Sequence, residues 1–121
     1  IEVVVLPGAS SLMPALAGSN LHAEKFYYYG WLSPKKEIRK NELLRLKKIR
    51  EIIVILDTPY RLGALLRDCE QVFGQQQNVV LAFDISKPTE KFWRMQLGAL
   101  HTLVQTNPVK GEFVFIIDNR K

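Results

Sequence analysis

Three stretches place small or acidic side chains directly after apolar runs: Leu6-Pro7-Gly8-Ala9-Ser10-Ser11, Leu56-Asp57-Thr58 and Phe83-Asp84-Ile85. The runs they close, residues 3–6, 52–56 and 79–83, are rich in β-branched residues and read as strands buried on both faces. In the first, Pro7 has no amide to donate to a sheet and Gly8 permits a tight turn. Ala9, Ser10 and Ser11 are small enough for a ligand to lie against the backbone, and the outward amides of a following helix would receive it. An ordinary strand-to-helix turn with a serine cap has the same signature. Asp57 and Asp84 suit paired carboxylates, and equally a helix cap and a polar strand end.

The elements that would position these residues alternate along the chain. A helix over residues 10–18 follows the first turn and tolerates Pro14 early on. Phe26, Tyr27, Tyr28, Tyr29, Trp31 and Leu32 make an aromatic strand broken at Gly30. Ser33-Pro34 reads as a helix start, with Ser33 as cap and Pro34 at the first helical position. The helix expected over residues 35–50 is basic, with Lys36, Lys40 and Lys47 opposite a core stripe of Ile38, Leu43, Leu46 and Ile49. Those lysines suit a solvated face as well as a phosphate contact.

Leu62, Leu65, Leu66, Cys69 and Phe73 recur at helical spacing, and Gly74 closes that helix. Residues 91–97 alternate weakly as a strand, residues 97–104 read as a helix, and residues 112–118 as the last strand. Strands alternating with helices predict an α/β domain with a mixed, largely parallel sheet of about five strands flanked by helices. In such a sheet the three strand ends share one edge, where ligands bind.

Composition sets limits. At 121 residues the chain is one domain with a real core. No apolar run is long enough to span a membrane, and no segment has the layout of a signal peptide. The single Cys69 excludes an internal disulfide and a cysteine metal cage, which points to a reducing cytoplasm; it lies on a core stripe, so packing explains it better than nucleophilic chemistry. His22 and His101 belong to no paired motif, and zincin, Walker, dinucleotide-binding and nucleophile-elbow signatures are missing. No metal site and no catalytic residue is assigned. The net charge of +5 suits an anionic partner. The start at Ile1, without methionine and directly in a strand, leads us to expect a piece of a longer protein.

The ordered set Pro7-Gly8-Ala9-Ser10-Ser11, Ala15-Leu16, Ser19-Asn20-Leu21, Lys25-Phe26 and the block from Gly30 to Lys36 resembles the C-terminal domain of the tetrapyrrole methylase superfamily. Asp57-Thr58-Pro59-Tyr60-Arg61-Leu62, Val79-Val80-Leu81-Ala82, Ser86-Lys87, Glu90 and Lys110-Gly111-Glu112 continue it in order. Within that superfamily, the small-subunit ribosomal RNA cytidine 2′-O-methyltransferase group is the most similar.

The resemblance implies that residues 1–121 are the C-terminal half of a two-domain, homodimeric methyltransferase whose N-terminal domain lies outside this chain. It implies S-adenosylmethionine in a cleft between the domains, held mainly by backbone groups, with Ser10, Ser11, Leu56, Asp57 and Ala82 on this side. Lys35, Lys36, Arg61 and Lys87 are the expected substrate contacts, and ribosomal RNA the expected substrate. A sulfonium methyl is already activated, so such an enzyme depends on positioning more than on strong acid or base.

The group's usual glutamate is Asp57 here, its usual histidine is Tyr60, and its usual Arg-Glu pair is Phe83-Asp84. These departures fall where substrate chemistry would be. Two other readings stand beside RNA methylation. One is methylation of a tetrapyrrole-like small molecule. The other is a non-catalytic nucleic-acid-binding module, in which Tyr27, Tyr29 and Trp31 share one strand face and stack on bases. A core role for that face fits as well.

Overall fold

The computed structural model describes residues 26–83, 88, 91–107 and 111–120. The strand expected at residues 3–6, the helix at 10–18, and Ser10, Ser11, Asp84 and Lys87 lie outside the described residues. In chain order the elements are β1 (Phe26–Trp31), α1 (Lys36–Leu46), β2 (Ile52–Asp57), a 3-10 turn (Pro59–Arg61), α2 (Leu62–Phe73), β3 (Asn78–Phe83), β4 (Lys91–Gln96), α3 (Leu97–Thr106) and β5 (Phe113–Asp118).

The strands form one five-stranded mixed sheet in the order β1-β2-β5-β3-β4. The expectation of a largely parallel sheet is corrected. Among the described residues only β1 and β2 pair in parallel, whereas β2–β5, β5–β3 and β3–β4 are antiparallel. The helical crossovers nevertheless behave as the alternation of elements implies. Each of α1, α2 and α3 joins two strands that point the same way. Neighbours become antiparallel because the direct β3–β4 connection reverses the chain, and β5 then inserts between β2 and β3. No local residue signal specifies that insertion.

The three central strands are nearly continuous buried runs, as a strand covered on both faces requires. Ile53, Ile55, Val79, Leu81, Phe115 and Ile117 pack with the buried residues of all three helices. Their alternate neighbours Ile52, Val54, Val80, Ala82, Val114 and Ile116 form a separate buried cluster on the other face. The three helices therefore share one side of the sheet. Cys69 is fully buried in the helix-side core, and burial pushes its thiol pKa up, which suits packing.

The basic helix departs from its expected outline. It starts at Lys36, because the Ser33 hydroxyl accepts the Lys35 amide at 3.1 Å in a turn ahead of the helix rather than capping it. It stops at Leu46, not residue 50. The carbonyls of Leu43, Arg45 and Leu46 accept the amides of Lys47, Lys48 and Ile49, and the side chain of Asn119 donates to the carbonyls of Lys47 (2.9 Å) and Ile49 (2.7 Å) in the turn that follows. The inward stripe is also corrected. Ile38 is 46% exposed, and Arg39, only 5% exposed, lies inward with Leu43 and Leu46.

Arg39 is buried because it has a partner. Its guanidinium meets Asp68 Oδ2 of α2 through Nε (2.8 Å) and Nη2 (2.7 Å). Nη1 also donates to the carbonyls of Ser33 (3.4 Å) and Pro34 (3.3 Å). One α1 residue thus ties α2 to the loop between β1 and α1.

Candidate functional site

β1, β2 and β3 all point the same way, so their C-terminal ends lie on one edge of the sheet. Of the three strand ends expected to converge, those of β2 and β3 do so although β5 between them runs the other way, and the end of β1 joins them; the end expected after residue 6 lies outside the described residues. Ligands in open α/β sheets sit at such edges.

Register places the expected residues. Leu56 pairs with Val114 of β5, and Val114 pairs with Ala82 of β3. Trp31 pairs with Leu56, and Phe92 with Ala82, so one row runs Trp31–Leu56–Val114–Ala82–Phe92 across the whole sheet. Paired residues point to the same side, so Leu56 and Ala82 share the face away from the helices, two strand spacings or about 10 Å apart. Ala82 is fully buried and Leu56 partly exposed, so Leu56 is the member of this pair that reaches solvent.

Asp57 belongs to the next row, paired with Phe113, and is turned to the helix side. Its Oδ1 accepts from the Thr58 amide at 2.7 Å and from Arg61 Nε at 2.7 Å. The structure thus joins an expected cofactor residue to an expected substrate residue. The carboxylate holds the turn after β2, and the Arg61 side chain remains about a third exposed, at 34%. Thr58 Oγ1, at the same edge, is a buried atom that makes no hydrogen bond. Lys35 and Lys36 are exposed where the chain leaves β1 for α1, at this edge as well.

The loop carrying these lysines is braced by Glu42 of α1 in addition to Arg39. Glu42 Oε1 accepts the Ser33 amide at 2.8 Å, and Oε2 accepts the Tyr29 hydroxyl. The Tyr29 phenol is pushed up to about 12, chiefly by burial and then by this bond to a carboxylate. Sequence reading missed Arg39 and Glu42 as supports of the loop. The spacing of Arg39 with Leu43 and Leu46, at i, i+4 and i+7, was the available signal for an inward arginine.

Trp31 also departs from the expected alternation. The pairing of β1 shifts between Tyr28 and Gly30, where Gly30 has φ +86°. This bulge moves Trp31 to the face of Phe26 and Tyr28, while Tyr27 and Tyr29 stay on the helix side with ring centroids 6.4 Å apart. The three-aromatic face proposed for base stacking is therefore not formed.

Among the described residues no group of three or more His, Cys, Asp or Glu could hold a metal ion, and no helix is long and apolar enough to cross a membrane. His101 bonds Glu70 at 2.6 Å, and it lines a shallow polar groove with Gln75, Gln96 and Thr102. Gln96 ends β4, whose start lies at the strand-end edge described above, so this groove is at the opposite end of the sheet.

A mixed sheet with helical crossovers and convergent strand ends defines an α/β protein of the open-sheet class. The sequence model of the Tetrapyrrole (Corrin/Porphyrin) Methylases matches residues 1–101, and the chain belongs to that family. It is 35% identical over 117 residues to a protein named ribosomal RNA small subunit methyltransferase I from Synechocystis sp., covering 97% of this chain and 42% of that protein. The protein of the same name from Vibrio cholerae is 33% identical over 119 residues, covering 97% and 41%.

Among solved structures, the methyltransferase CobJ matches with a TM-score of 0.69 at 13% identity, covering 98% of this chain and 51% of that one. A Thermus thermophilus uroporphyrin-III C-methyltransferase, solved in complex with S-adenosyl homocysteine, matches at 0.59 and 16%, covering 97% and 52%. These structures share the fold. The chain spans about two fifths of the length of the curated relatives it matches.

Proposed function

We propose that this chain is the C-terminal, S-adenosylmethionine-binding half of a methyltransferase that modifies a ribose 2′-hydroxyl of ribosomal RNA. The observation that carries the reading is the strand-end edge. It collects Leu56, the unbonded hydroxyl of Thr58, Arg61 and the exposed Lys35 and Lys36 on neighbouring elements. The names of the relatives from Synechocystis and Vibrio cholerae, and the S-adenosyl homocysteine in the Thermus thermophilus neighbour, support it.

The residues present fit such a cofactor. Leu56, the partly exposed residue at the end of β2, offers an apolar contact for an adenosine, and Thr58 Oγ1 offers a buried donor. Ser10 and Ser11, outside the described residues, belong to the same proposed set, and the backbone around Asp57 contributes while its carboxylate stays with Arg61. When bound, the cofactor supplies an activated methyl group. The chain's own part is to bind and orient, which accounts for much of catalysis where the donor is already reactive. Lys35, Lys36, Arg61 and Lys87 meet the anionic backbone of the substrate, where each cation releases a counterion on binding. A second domain, a homodimer and a cytoplasmic setting belong to the same reading.

Titration calorimetry on the full-length parent and on residues 1–121 tests it. The parent binds S-adenosylmethionine, and the isolated chain binds it only weakly because half the cleft is missing. Equally tight binding by the fragment would sink the two-domain cleft. Ser10→Phe in the parent abolishes cofactor binding with an unchanged melting curve; unchanged affinity would return that loop to an ordinary turn.

A further inference from the structure

We propose that Trp31 and Tyr60 form a stacking site for unpaired bases of the RNA substrate. The proposal rests on the reading of this chain as half of an RNA methyltransferase and adds how the target strand is gripped.

The two are the most exposed large hydrophobic side chains among the described residues, Trp31 at 57% and Tyr60 at 90%. Both emerge from the same edge, at the ends of the adjacent parallel strands β1 and β2. Trp31 is the ladder partner of Leu56, and Tyr60 follows four residues later in the turn. Neither owes its place to a loose loop. The β1 bulge directs Trp31 away from the helix-side core, where strict alternation would have put it with Tyr27 and Tyr29. The turn under Tyr60 is held by the Asp57–Arg61 pair, by the Arg61 amide on the Thr58 carbonyl at 3.1 Å, and by the fixed φ of Pro59.

Lys35, Lys36 and Arg61 flank the aromatics. Exposed π-faces beside cations, in a chain of net charge +5, match a ligand with stacked or stackable bases and a phosphate backbone. A continuous duplex keeps its base faces stacked inside the helix, whereas an unpaired nucleotide can lay its base on an aromatic side chain while its 2′-hydroxyl stays accessible. The occupant is therefore single-stranded RNA and not a duplex.

The test uses the full-length parent and a labelled single-stranded RNA oligonucleotide, with the same strand annealed to its complement as control. Trp31→Ala and Tyr60→Ala each lower single-strand affinity by about fivefold or more, the range of a lost base–aromatic stack. Duplex affinity, cofactor affinity, melting temperature and the slope of log affinity against log salt stay as in the parent, because no charge is removed. Trp31→Phe keeps most of the affinity.

Unchanged single-strand affinity in both alanine variants, with RNA binding intact in the parent, overturns the stacking site and leaves the methyltransferase reading standing. A parent that binds no RNA overturns both. A joint fall in melting temperature or cofactor affinity would show the aromatics packing against the rest of the protein, and would overturn the proposal.

Discussion

Asp57 and Arg61 bond each other across one turn of chain, with Oδ1 to Nε at 2.7 Å, and the carboxylate side chain is only 2% exposed. The same oxygen takes the Thr58 amide. Asp57→Ala therefore leaves the part-buried Thr58 amide without this partner and frees the turn that carries Tyr60. We expect a loss of about 1–3 kcal/mol in urea denaturation. Arg61→Ala costs less, about 0.5–1 kcal/mol, since the guanidinium is partly solvated and screened. The double variant falls well short of the sum of the two; full additivity would show that the pair does not act as a unit.

Arg39 and Asp68 are a buried pair, with side chains 6% and 5% exposed. Arg39→Met strands the Asp68 carboxylate, whose Oδ1 already lacks a hydrogen bond. The expected cost is roughly 3–5 kcal/mol, and Arg39→Met with Asp68→Leu recovers most of it. Chemical denaturation of the single and paired variants measures both. A single variant as stable as the parent would mean that water or a shifted proton compensates the charge.

The Tyr29–Glu42 contact makes stability depend on alkaline pH. The folded phenol titrates near 12 against an ordinary value of 10.0, so the folded state holds its proton where the unfolded state has lost it. This contribution is complete below pH 10.0 and fades as the pH rises toward about 12. The stability difference between the parent and Tyr29→Phe, followed from neutral to strongly alkaline pH, should shrink across that window. A constant difference would contradict the burial of the phenol.

Lys36 and Lys40 on α1, and Lys47 just after it, are exposed. If they meet phosphates, replacing all three by glutamine lowers RNA affinity. Each lost contact then reduces the slope of log affinity against log salt by roughly 0.7–0.9. Cofactor affinity holds, and stability changes by about 0.5 kcal/mol per site at most. An unchanged slope would assign these lysines to solubility alone.

The amino-acid sequence by itself determined the elements. β2, β3 and β5 announce themselves as β-branched runs, and α2 by the recurrence of Leu62, Leu65, Leu66 and Cys69, because periodicity and burial act over a few residues. It also indicated that β2 and β3 end on one edge, since the helix between them brings the chain back in the same direction. Tertiary structure alone decided the rest. β5 enters between β2 and β3 through pairing with strands far away in the chain, which no turn residue records. Arg39 is found inward and Ile38 outward, with Asp68, 29 residues on, and the carbonyls of Ser33 and Pro34 giving the buried guanidinium its partners. The turn after helix α1 is tied to the far end of the chain, where Asn119, 72 residues from Lys47, donates to the carbonyls of Lys47 and Ile49. Trp31 changes face because a bulge, whose register only the partner strand defines, inserts one residue into an otherwise regular alternation.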